Sequence, residues 1–302
     1  KNKIYPEHLG ELFCEVYEHL YIERGTFPKK SPMNEAIKLS LNGTYGNSNS
    51  EYSVFYDPKF TMTITINGQL SLCMLVEMLR KNIRDIKMIQ ANTDGITVMY
   101  NKKDRDVLFD LVKEWESITK LEMEHVDYSK MIVRDVNNYI AVDMNGGVKR
   151  KGAYEYDGLG WHQNHSALVI KKSAEHFLVY GGDYKEYILN HKDAYDFMLR
   201  TKVDRSSRLE LERYCVFGQL ESVEQLQNIC RYYPSKDGGK LVKVMPPLKG
   251  KEENGERRLS IDKEWNVQPC NNMDDFKWDI DYDYYITETE KLISFAEIEE
   301  KE

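Results

Sequence analysis

Three polar side chains, Lys38, Asn42 and Tyr45, recur at intervals of four and three residues within the stretch KLSLNGTYGNS. At about 100° per residue, these intervals place all three on one face of a helix. That face would present an ammonium group for a phosphate, an amide and an aromatic ring, and Gly46 would let a ligand approach the backbone closely. Such a set suits a nucleoside triphosphate. The alternative is an amphipathic helix whose polar face holds these residues without a chemical role.

A second candidate is the turn NTDG at 92–95, which joins the apolar runs IKMIQA and ITVMY. Two such runs joined by a short polar turn predict a β-hairpin. The carboxylate of Asp94 would then be held rigidly at the hairpin tip and exposed, a position suited to a divalent cation. Asn, Asp and Gly also favour turns without any function.

The surrounding patterns predict the elements that position these residues. Residues 7–24 have apolar side chains at helical spacing, namely Leu9, Leu12, Phe13, Val16 and Leu20. The stretches YSVFYDP and KFTMTITI, rich in β-branched and aromatic residues, predict strands. A helix is predicted over 68–83 and another over 104–118, with strands in MIVRDVNNYIAVDM and GGVKRKGAYEY. Beyond residue 165, KDAYDFMLRTK and SVEQLQNICRYY predict helices, followed by an irregular acidic end.

The fold class predicted is therefore α+β, built around an antiparallel sheet. Three segments are expected: helices over 1–50, a sheet-based unit over 51–165 and a mainly helical region over 166–302. No apolar run reaches the roughly 20 residues that a membrane span needs, so no membrane partner is expected. The five scattered cysteines indicate a reducing compartment such as the cytoplasm.

The charge of the chain is uneven. Residues 251–302 hold 16 acidic and 7 basic side chains, a net of −9, whereas the rest of the chain has a net of +1. Basic clusters lie at Lys29–Lys30, Lys149–Lys151 and Lys171–Lys172. Each alone is typical of a solvated surface. The net charge of −8 therefore neither favours nor excludes a nucleic-acid partner.

Three of these stretches together resemble motifs of the family B DNA polymerases, particularly those encoded by phages. KLSLNGTYG resembles the fingers motif K-x-x-x-N-S-x-Y-G, and NTDG resembles the palm motif D-T-D-S/G. VNNYIAVDMNGGVKRKGAY is similar to the basic motif that joins palm to thumb. The resemblance implies helical fingers in 1–50, a palm in 51–165 and a thumb with an acidic end in 166–302, without the exonuclease domain of the family.

The resemblance also implies a role for each matching residue. Lys38 would bind the triphosphate of the incoming dNTP, and Asn42 and Tyr45 would line the nucleotide pocket. Arg24, with Lys29 or Lys30, would add positive charge to that pocket. Asp94 would be the catalytic residue that ligates metal. The residues implied to contact DNA are Gly46, Lys149, Lys151 and Arg231, although Arg231 is equally compatible with packing against Tyr232 and Tyr233.

The implied reaction is template-directed nucleotidyl transfer from a dNTP to a primer 3′-hydroxyl. Two Mg²⁺ ions would stabilise the attacking and leaving oxygens, and primer–template DNA would be the macromolecular partner. If the chain is phage-encoded, its compartment would be the cytoplasm of the host.

Two departures from the family pattern are visible. Asn92 stands where family members have the first palm aspartate, and residues 1–37 contain no match to the motif that supplies their other metal-binding aspartate. One carboxylate cannot hold two cations, so we expect the isolated chain to be inactive. It would work within a longer polypeptide, or beside a partner chain that carries the missing aspartate.

Two alternatives remain beside a polymerase portion. One is a polymerase-like but catalytically silent DNA-binding module, favoured by Asn92 and the missing aspartate. The other is a different two-metal enzyme. A reverse transcriptase would have two adjacent aspartates at the hairpin, however, and a nuclease has no use for the polar helix face.

A further acidic stretch, DIDYDYYITETE at 279–290, has acids at four positions typical of a calcium-binding loop. Tyr284 stands where such a loop requires glycine. The stretch therefore predicts an acidic surface strand and turn.

Overall fold

The computed structural model describes residues 2–160, 165–250, 252–262 and 265–295. It confirms a mixed α+β fold with antiparallel sheets. The chain divides into two compact units, the first ending at His125 and the second beginning at Val126. The three predicted segments stay a prediction, and the boundary between the two units falls within 51–165.

The first unit begins with two helices, α1 (Leu12–Thr26) and α2 (Pro32–Asn47). The N-cap of α2 is Ser31, whose hydroxyl accepts a hydrogen bond from the backbone N–H of Asn34, and proline occupies the first helical position. The polar triad of 38, 42 and 45 therefore lies on one helix, as predicted. The apolar face predicted for α1 is wrong in part, because Leu12 and Val16 are 66% and 54% exposed.

The long helix α3 (Pro58–Asn82) corrects the prediction of a strand in KFTMTITI. Asp57 caps its N-terminus by accepting from the N–H of Phe60 at 3.0 Å. The threonines in this segment donate to the carbonyl four residues earlier, as Thr63 does to Lys59 at 2.7 Å and Thr65 to Thr61 at 2.9 Å. Because a helix satisfies these hydroxyls, alternation of threonine and apolar residues does not dictate a strand.

The length and composition of α3 would allow it to cross a membrane, with a mean hydropathy of 1.3. This corrects the expectation that no segment meets that criterion. Core helices of soluble proteins pass the same test, so length and composition alone decide nothing. Leu75 and Leu79 of α3 are buried against the next helix of this unit.

The predicted hairpin and the helix after it are confirmed as β1 (Lys87–Ala91), β2 (Ile96–Met99) and α4 (Arg105–Thr119). The strands are antiparallel, with Ala91 opposite Ile96, so residues 92–95 form the tip. The core of this unit lies between α3, α4 and the hairpin. Its centre is Trp115, which is 1% exposed.

The second unit opens with the predicted strands, now β3 (Tyr128–Asp135), β4 (Asn138–Asp143) and β5 (Val148–Lys151), in an antiparallel sheet. Lys149 is paired with Ala141 and Lys151 with Tyr139. Three helices follow in the chain, α5 (Leu168–Tyr180), α6 (Tyr184–Asn190) and, near the end, α7 (Tyr282–Ile293). Side chains of β4, α5 and α7 share one core.

A six-stranded antiparallel sheet dominates the region predicted to be mainly helical, so that prediction is wrong. Its strands are β6 (Leu199–Lys202), β7 (Arg208–Tyr214), β8 (Leu220–Leu226), β9 (Ile229–Met245), β10 (Arg257–Ser260) and β11 (Val267–Pro269). The stretch SVEQLQNICRYY forms parts of β8 and β9, because pairing of its first part with β7 and of its last part with β6 and β11 overrides its helical propensity. KDAYDFMLRTK forms a short 3₁₀ turn and β6.

The acidic stretch 279–290 is largely helix α7, which corrects the predicted strand and turn. Tyr285, Thr289 and Leu292 are buried and lie four and three residues apart. This helical spacing is present in the sequence, but the density of acidic residues obscured it.

Candidate nucleotide and nucleic-acid sites

A cavity of about 630 Å³ lies within the first unit and brings together two of the predicted site residues. Tyr45 reaches it from α2, and Asp94 reaches it from the hairpin tip. Gly68 and Ser71 of α3 and Trp115 of α4 also line it. Among the described residues, the two motifs that are far apart in sequence thus contribute to one concave surface.

Aromatic side chains that the sequence analysis did not single out form much of the cavity wall. Phe13, Tyr17 and Tyr21 lie four residues apart along α1, so they share one face of that helix. Phe13 packs edge-on against Phe60 with ring centroids 5.8 Å apart. Burial raises the pKa of Tyr17, although the charge of Arg24 opposes the shift. Their spacing of four was the available signal, but the sequence analysis placed Phe13 in the apolar face of the helix and gave Tyr17 and Tyr21 no role.

Trp115 is anchored in the cavity wall by a hydrogen bond from its indole N–H to the carbonyl of Ser71, 2.7 Å long. Tyr45 is fixed in a similar way, since its hydroxyl lies 2.9 Å from the hydroxyl of Thr65 on α3. Two long-range contacts therefore hold aromatic groups at the cavity in defined positions. Charged groups also line the cavity, including Lys120 and Glu18.

The turn that carries Asp94 is closed by hydrogen bonds. The N–H of Asn92 donates to the carbonyl of Gly95 at 3.0 Å, and the side-chain oxygen of Asn92 accepts from the N–H of Asp94 at 3.3 Å. The side chain of Asp94 is exposed. Asn92 thus has a structural role that an aspartate could also fill, since both offer the same acceptor oxygen.

Lys38, Asn42 and Gly46 lie on α2, but they are not among the described residues that line the cavity. Lys38 forms a surface ion pair with Glu35 at 3.5 Å, and its side chain is 45% exposed. Asn42 is also exposed. A Cβ atom added to Gly46 would meet no described atom within 4 Å. The packing of the chain therefore does not itself require glycine there.

Two of the basic residues predicted to support Lys38, namely Arg24 and Lys29, have partners within the unit. The Nε of Arg24 donates to the side-chain oxygen of Asn34 at 3.2 Å, and the Asn34 amide donates back to the carbonyl of Arg24 at 3.0 Å. Lys29 pairs with Glu124 at 3.2 Å. Arg24 thus stabilises the junction between α1 and α2, and its role toward a triphosphate stays a prediction.

The described residues do not complete a magnesium site. Among them, no group of three acidic, histidine or cysteine side chains lies close enough to hold a metal ion. Asp94 offers one exposed carboxylate at the turn. The role of Asp94 as a magnesium ligand, and the need for a second carboxylate from another polypeptide segment, therefore stay predictions.

In the second unit, Lys149 and Lys151 are exposed on β5, whereas Arg150 between them points to the opposite face. The Nζ of Lys149 lies 3.5 Å from the hydroxyl of Tyr128 and 6.0 Å from the ring centre of Tyr139. Burial lowers the pKa of Lys149, but the two tyrosines outweigh it and the net shift is upward. Lys149 therefore stays a cation.

Arg231 on β9 does not pack on its two tyrosine neighbours in the way the alternative interpretation expected. Its guanidinium lies over the ring of Tyr195, 4.7 Å from the ring centre. Tyr232 and Tyr233 are buried in two different apolar clusters. Arg231 is half-buried, and its role toward DNA stays a prediction.

Comparisons with known proteins do not assign the chain. No model of a known protein family matches it, and no curated protein is similar to it in sequence. The functional assignment therefore depends on the motifs and on the geometry of the two units.

Proposed function

We propose that this chain is the carboxy-terminal polymerase portion of a DNA-directed DNA polymerase. It would transfer nucleotides from a dNTP to a primer 3′-hydroxyl once a second metal-binding carboxylate is supplied. The observation that carries the proposal is the shared cavity, lined by Tyr45 of the K-x-x-x-N-x-x-Y-G helix and by Asp94 of the NTDG turn. The resemblance of both motifs to family B polymerases supports the same conclusion.

The cavity suits a nucleotide in size and lining. Its volume of about 630 Å³ lies within the range of small-molecule sites. Aromatic side chains such as Tyr17 and Tyr21 offer apolar surface for a sugar or base. Lys38 is available to a triphosphate, because an exposed ion pair such as Lys38–Glu35 contributes only about 0–1 kcal/mol and is readily exchanged.

Lys149 and Lys151 support a DNA partner. Alternate residues of a strand point to one face, so these two cations face the same way, about 7 Å apart along the strand. Such a row can contact successive phosphates of a DNA backbone without reading its sequence. Base pairing would then select the incoming nucleotide. A cytoplasmic location and the absence of a membrane partner belong to this proposal.

A silent DNA-binding module is the second candidate, and one observation favours it. The described residues contain no cluster of three potential metal ligands, and Asn92 removes a charge beside Asp94. Primer extension with Mg²⁺ separates the two candidates. We expect no extension by the chain alone, extension by the product of its complete gene, and loss of that activity in Asp94→Asn. If the complete product is silent, the module is the better assignment.

Nucleotide binding by the chain alone tests the role of the helix face. The variant Lys38→Ala should weaken binding of a fluorescent dNTP by about 10-fold or more, because a hydrogen bond to a charged group contributes about 1.5–3 kcal/mol. Lys113→Ala is the matched control, since Lys113 forms an equivalent exposed ion pair with Asp110 three residues earlier in α4. Equal affinities for the two variants would refute the role of Lys38.

A further inference from the structure

Two arginines face each other across neighbouring strands of the six-stranded sheet. Arg200 on β6 lies directly opposite Arg231 on β9, and Lys202 lies opposite Ile229. Directly opposed residues of an antiparallel pair project to the same face, and so do residues two apart on one strand. Arg200, Lys202 and Arg231 therefore form one row of positive charge on one face of the sheet.

This row is not neutralised within the described part of the chain. Like charges directly opposite each other destabilise a sheet, and none of the three cations forms an ion pair with a described carboxylate. Two other arginines of the same sheet are compensated by carboxylates: Arg208 on β7 bonds to Glu210 and Glu256, and Arg258 on β10 bonds to Glu210 and Glu212. Arg213 and Arg257 donate to neutral acceptors, but neither lies opposite another arginine. The row therefore differs from these positions in placing two uncompensated arginines directly opposite each other.

Arg231 is held in place without an anion. Its guanidinium is stacked over Tyr195, and the Nη1 group is buried with no hydrogen-bond acceptor among the described residues. Its backbone N–H donates to the side chain of Asn271 at 2.8 Å, which fixes the strand beside it. A buried N–H group without an acceptor costs free energy, and an anion at the exposed side of the row would offset the charge of the guanidinium.

We propose that Arg200, Lys202 and Arg231 form a phosphate-binding site, occupied by the phosphodiester backbone of DNA. Two adjacent guanidinium groups match the several acceptor oxygens of a phosphate. Lys202 lies about 7 Å further along the strand, where a neighbouring phosphate of the same backbone can reach it. The assignment of DNA as the occupant rests on the proposed function. The phosphate site itself rests on the row of three cations and on the fact that no described carboxylate forms an ion pair with them.

The test compares three proteins: wild type, the double variant Arg200→Gln/Arg231→Gln, and the control Arg257→Gln. Arg257 is an exposed arginine of the same sheet, whose side chain donates to the carbonyl of Pro246. Inorganic pyrophosphate should raise the Tm of wild type and control, but not that of the double variant. An equal shift in all three proteins, or no shift in any, would overturn the phosphate site.

The DNA arm measures the affinity for fluorescent primer–template DNA over a range of salt concentrations. The double variant should bind about 10-fold more weakly at 100 mM salt, and its slope of log K against log[salt] should be smaller by about 0.9, the loss of one phosphate contact. If the wild type binds DNA and the double variant binds it equally well, DNA is not the occupant. If pyrophosphate binds but wild type does not bind DNA, the proposed function fails and the phosphate site stands.

The single variant Arg200→Gln distinguishes a phosphate site from a purely structural role of the row. Arg200→Gln leaves the stacking of Arg231 on Tyr195 intact and removes the repulsion between the two arginines. Its Tm without ligand should equal or exceed that of wild type, while its shift with pyrophosphate is reduced. A clear fall in Tm, with an unchanged pyrophosphate shift, would show that the arginines stabilise the sheet and bind no phosphate.

Discussion

The run Val148–Lys151 shows how a strand separates neighbouring residues of like charge. Arg150 points inward, where its Nη2 donates to Glu175 at 2.7 Å and its Nη1 to Asp157 at 2.8 Å. Hydrogen bonds to Glu175 raise the pKa of Arg150 further. Lys149 and Lys151 point outward. A basic cluster in the sequence is therefore one half-buried structural cation and two outward-facing lysines, of which Lys151 forms a partly exposed ion pair with Glu155 at 3.6 Å that a polyanion can exchange.

Gly46 allows stability and function to be separated. It is the penultimate residue of α2, with open space around its Cα. Gly46→Ala should raise the free energy of unfolding by about 0.5–1 kcal/mol, because alanine has the higher helix propensity, but it should weaken DNA binding. Gly25→Ala is the control, as Gly25 is the penultimate residue of α1 and has equally open space. Chemical unfolding and DNA titration would check both effects; unchanged DNA affinity in Gly46→Ala would contradict the role.

Asn92 provides a second test at the residue scale. Asn92→Asp keeps the acceptor for the N–H of Asp94 and adds a carboxylate next to it. We expect the turn to persist and the affinity for Mn²⁺ to rise several-fold, since hard cations prefer carboxylate oxygens. Calorimetric titration would measure the affinity for Mn²⁺. Asp94→Asn is the control, because removal of the Asp94 carboxylate should lower that affinity. Equal Mn²⁺ affinity in wild type and both variants would remove this turn from the metal site.

At the scale of elements, α3 is held at its start by one side chain. Asp57 accepts from the N–H groups of Glu7 at 2.9 Å and Phe60 at 3.0 Å, and these bonds lower its pKa. Asp57→Ala should destabilise the first unit by about 1 kcal/mol, as the loss of an N-cap does. Asp57→Asn should cost less, because the amide oxygen still accepts.

The sign of the pH dependence follows from that lowered pKa. A carboxylate whose pKa is lower in the folded state stabilises the protein above its ordinary pKa of about 3.9, and this contribution is lost as the pH falls through the folded value. The stability difference between wild type and Asp57→Asn should therefore shrink below about pH 4. Urea unfolding followed by tryptophan fluorescence, in a background that keeps Trp115 and replaces the other three tryptophans by phenylalanine, would measure it. A difference that is constant with pH would exclude the charge of Asp57 as its cause.

Elements with local signals were predictable from the sequence, and those decided by distant contacts were not. The hairpin β1–β2 follows from two apolar runs and a polar turn, and α4 follows from its strong amphipathic period. By contrast, the threonines of α3 are satisfied by their own helix, and the strand β8 forms through its pairing with β7. Neither the hydroxyl hydrogen bonds of α3 nor the pairing of β8 can be recognised from the local sequence pattern.

The candidate site also has one part that local sequence patterns predict and another part that depends on distant contacts. The residue types and spacing of Lys38, Asn42 and Tyr45 predicted a single helix face, which α2 provides. That Tyr45 and Asp94 line one cavity follows from the packing of α1, α2, α3 and α4, and no spacing rule predicts it. The opposed pair of Arg200 and Arg231 depends on strand register, which sequence alone leaves open.

At the scale of the whole molecule, the two units have separate cores, and a buried charge cluster is specific to the second. Asp196 is 2% exposed and accepts from Lys172 at 2.6 Å and from His191 at 2.5 Å. Burial would raise the pKa of Asp196, but these hydrogen bonds and the charge of Lys172 outweigh it and lower the pKa.

Asp196→Asn should therefore destabilise the second unit by about 3 kcal/mol at pH 7, because it removes the buried charged acceptor of the half-buried Lys172 ammonium. The effect should begin to diminish as the pH falls below the ordinary aspartate pKa of about 3.9, and it should be lost as the pH falls through the lower pKa of the folded state. Hydrogen exchange would show faster opening of α5 and β6, with α3 and α4 unchanged. Asp193→Asn, three residues away and exposed, is the control. Equal acceleration in both units would contradict independent cores.

The central claim is that the helix bearing Tyr45 and the turn bearing Asp94 face one bound nucleotide. Paramagnetic broadening of amide NMR signals by a dNTP complexed with Mn²⁺ tests it most directly. We predict simultaneous broadening at Tyr45–Gly46 and at Thr93–Gly95, with the effect at the turn lost in Asp94→Asn. Broadening of neither segment, or of one without the other, would contradict the claim.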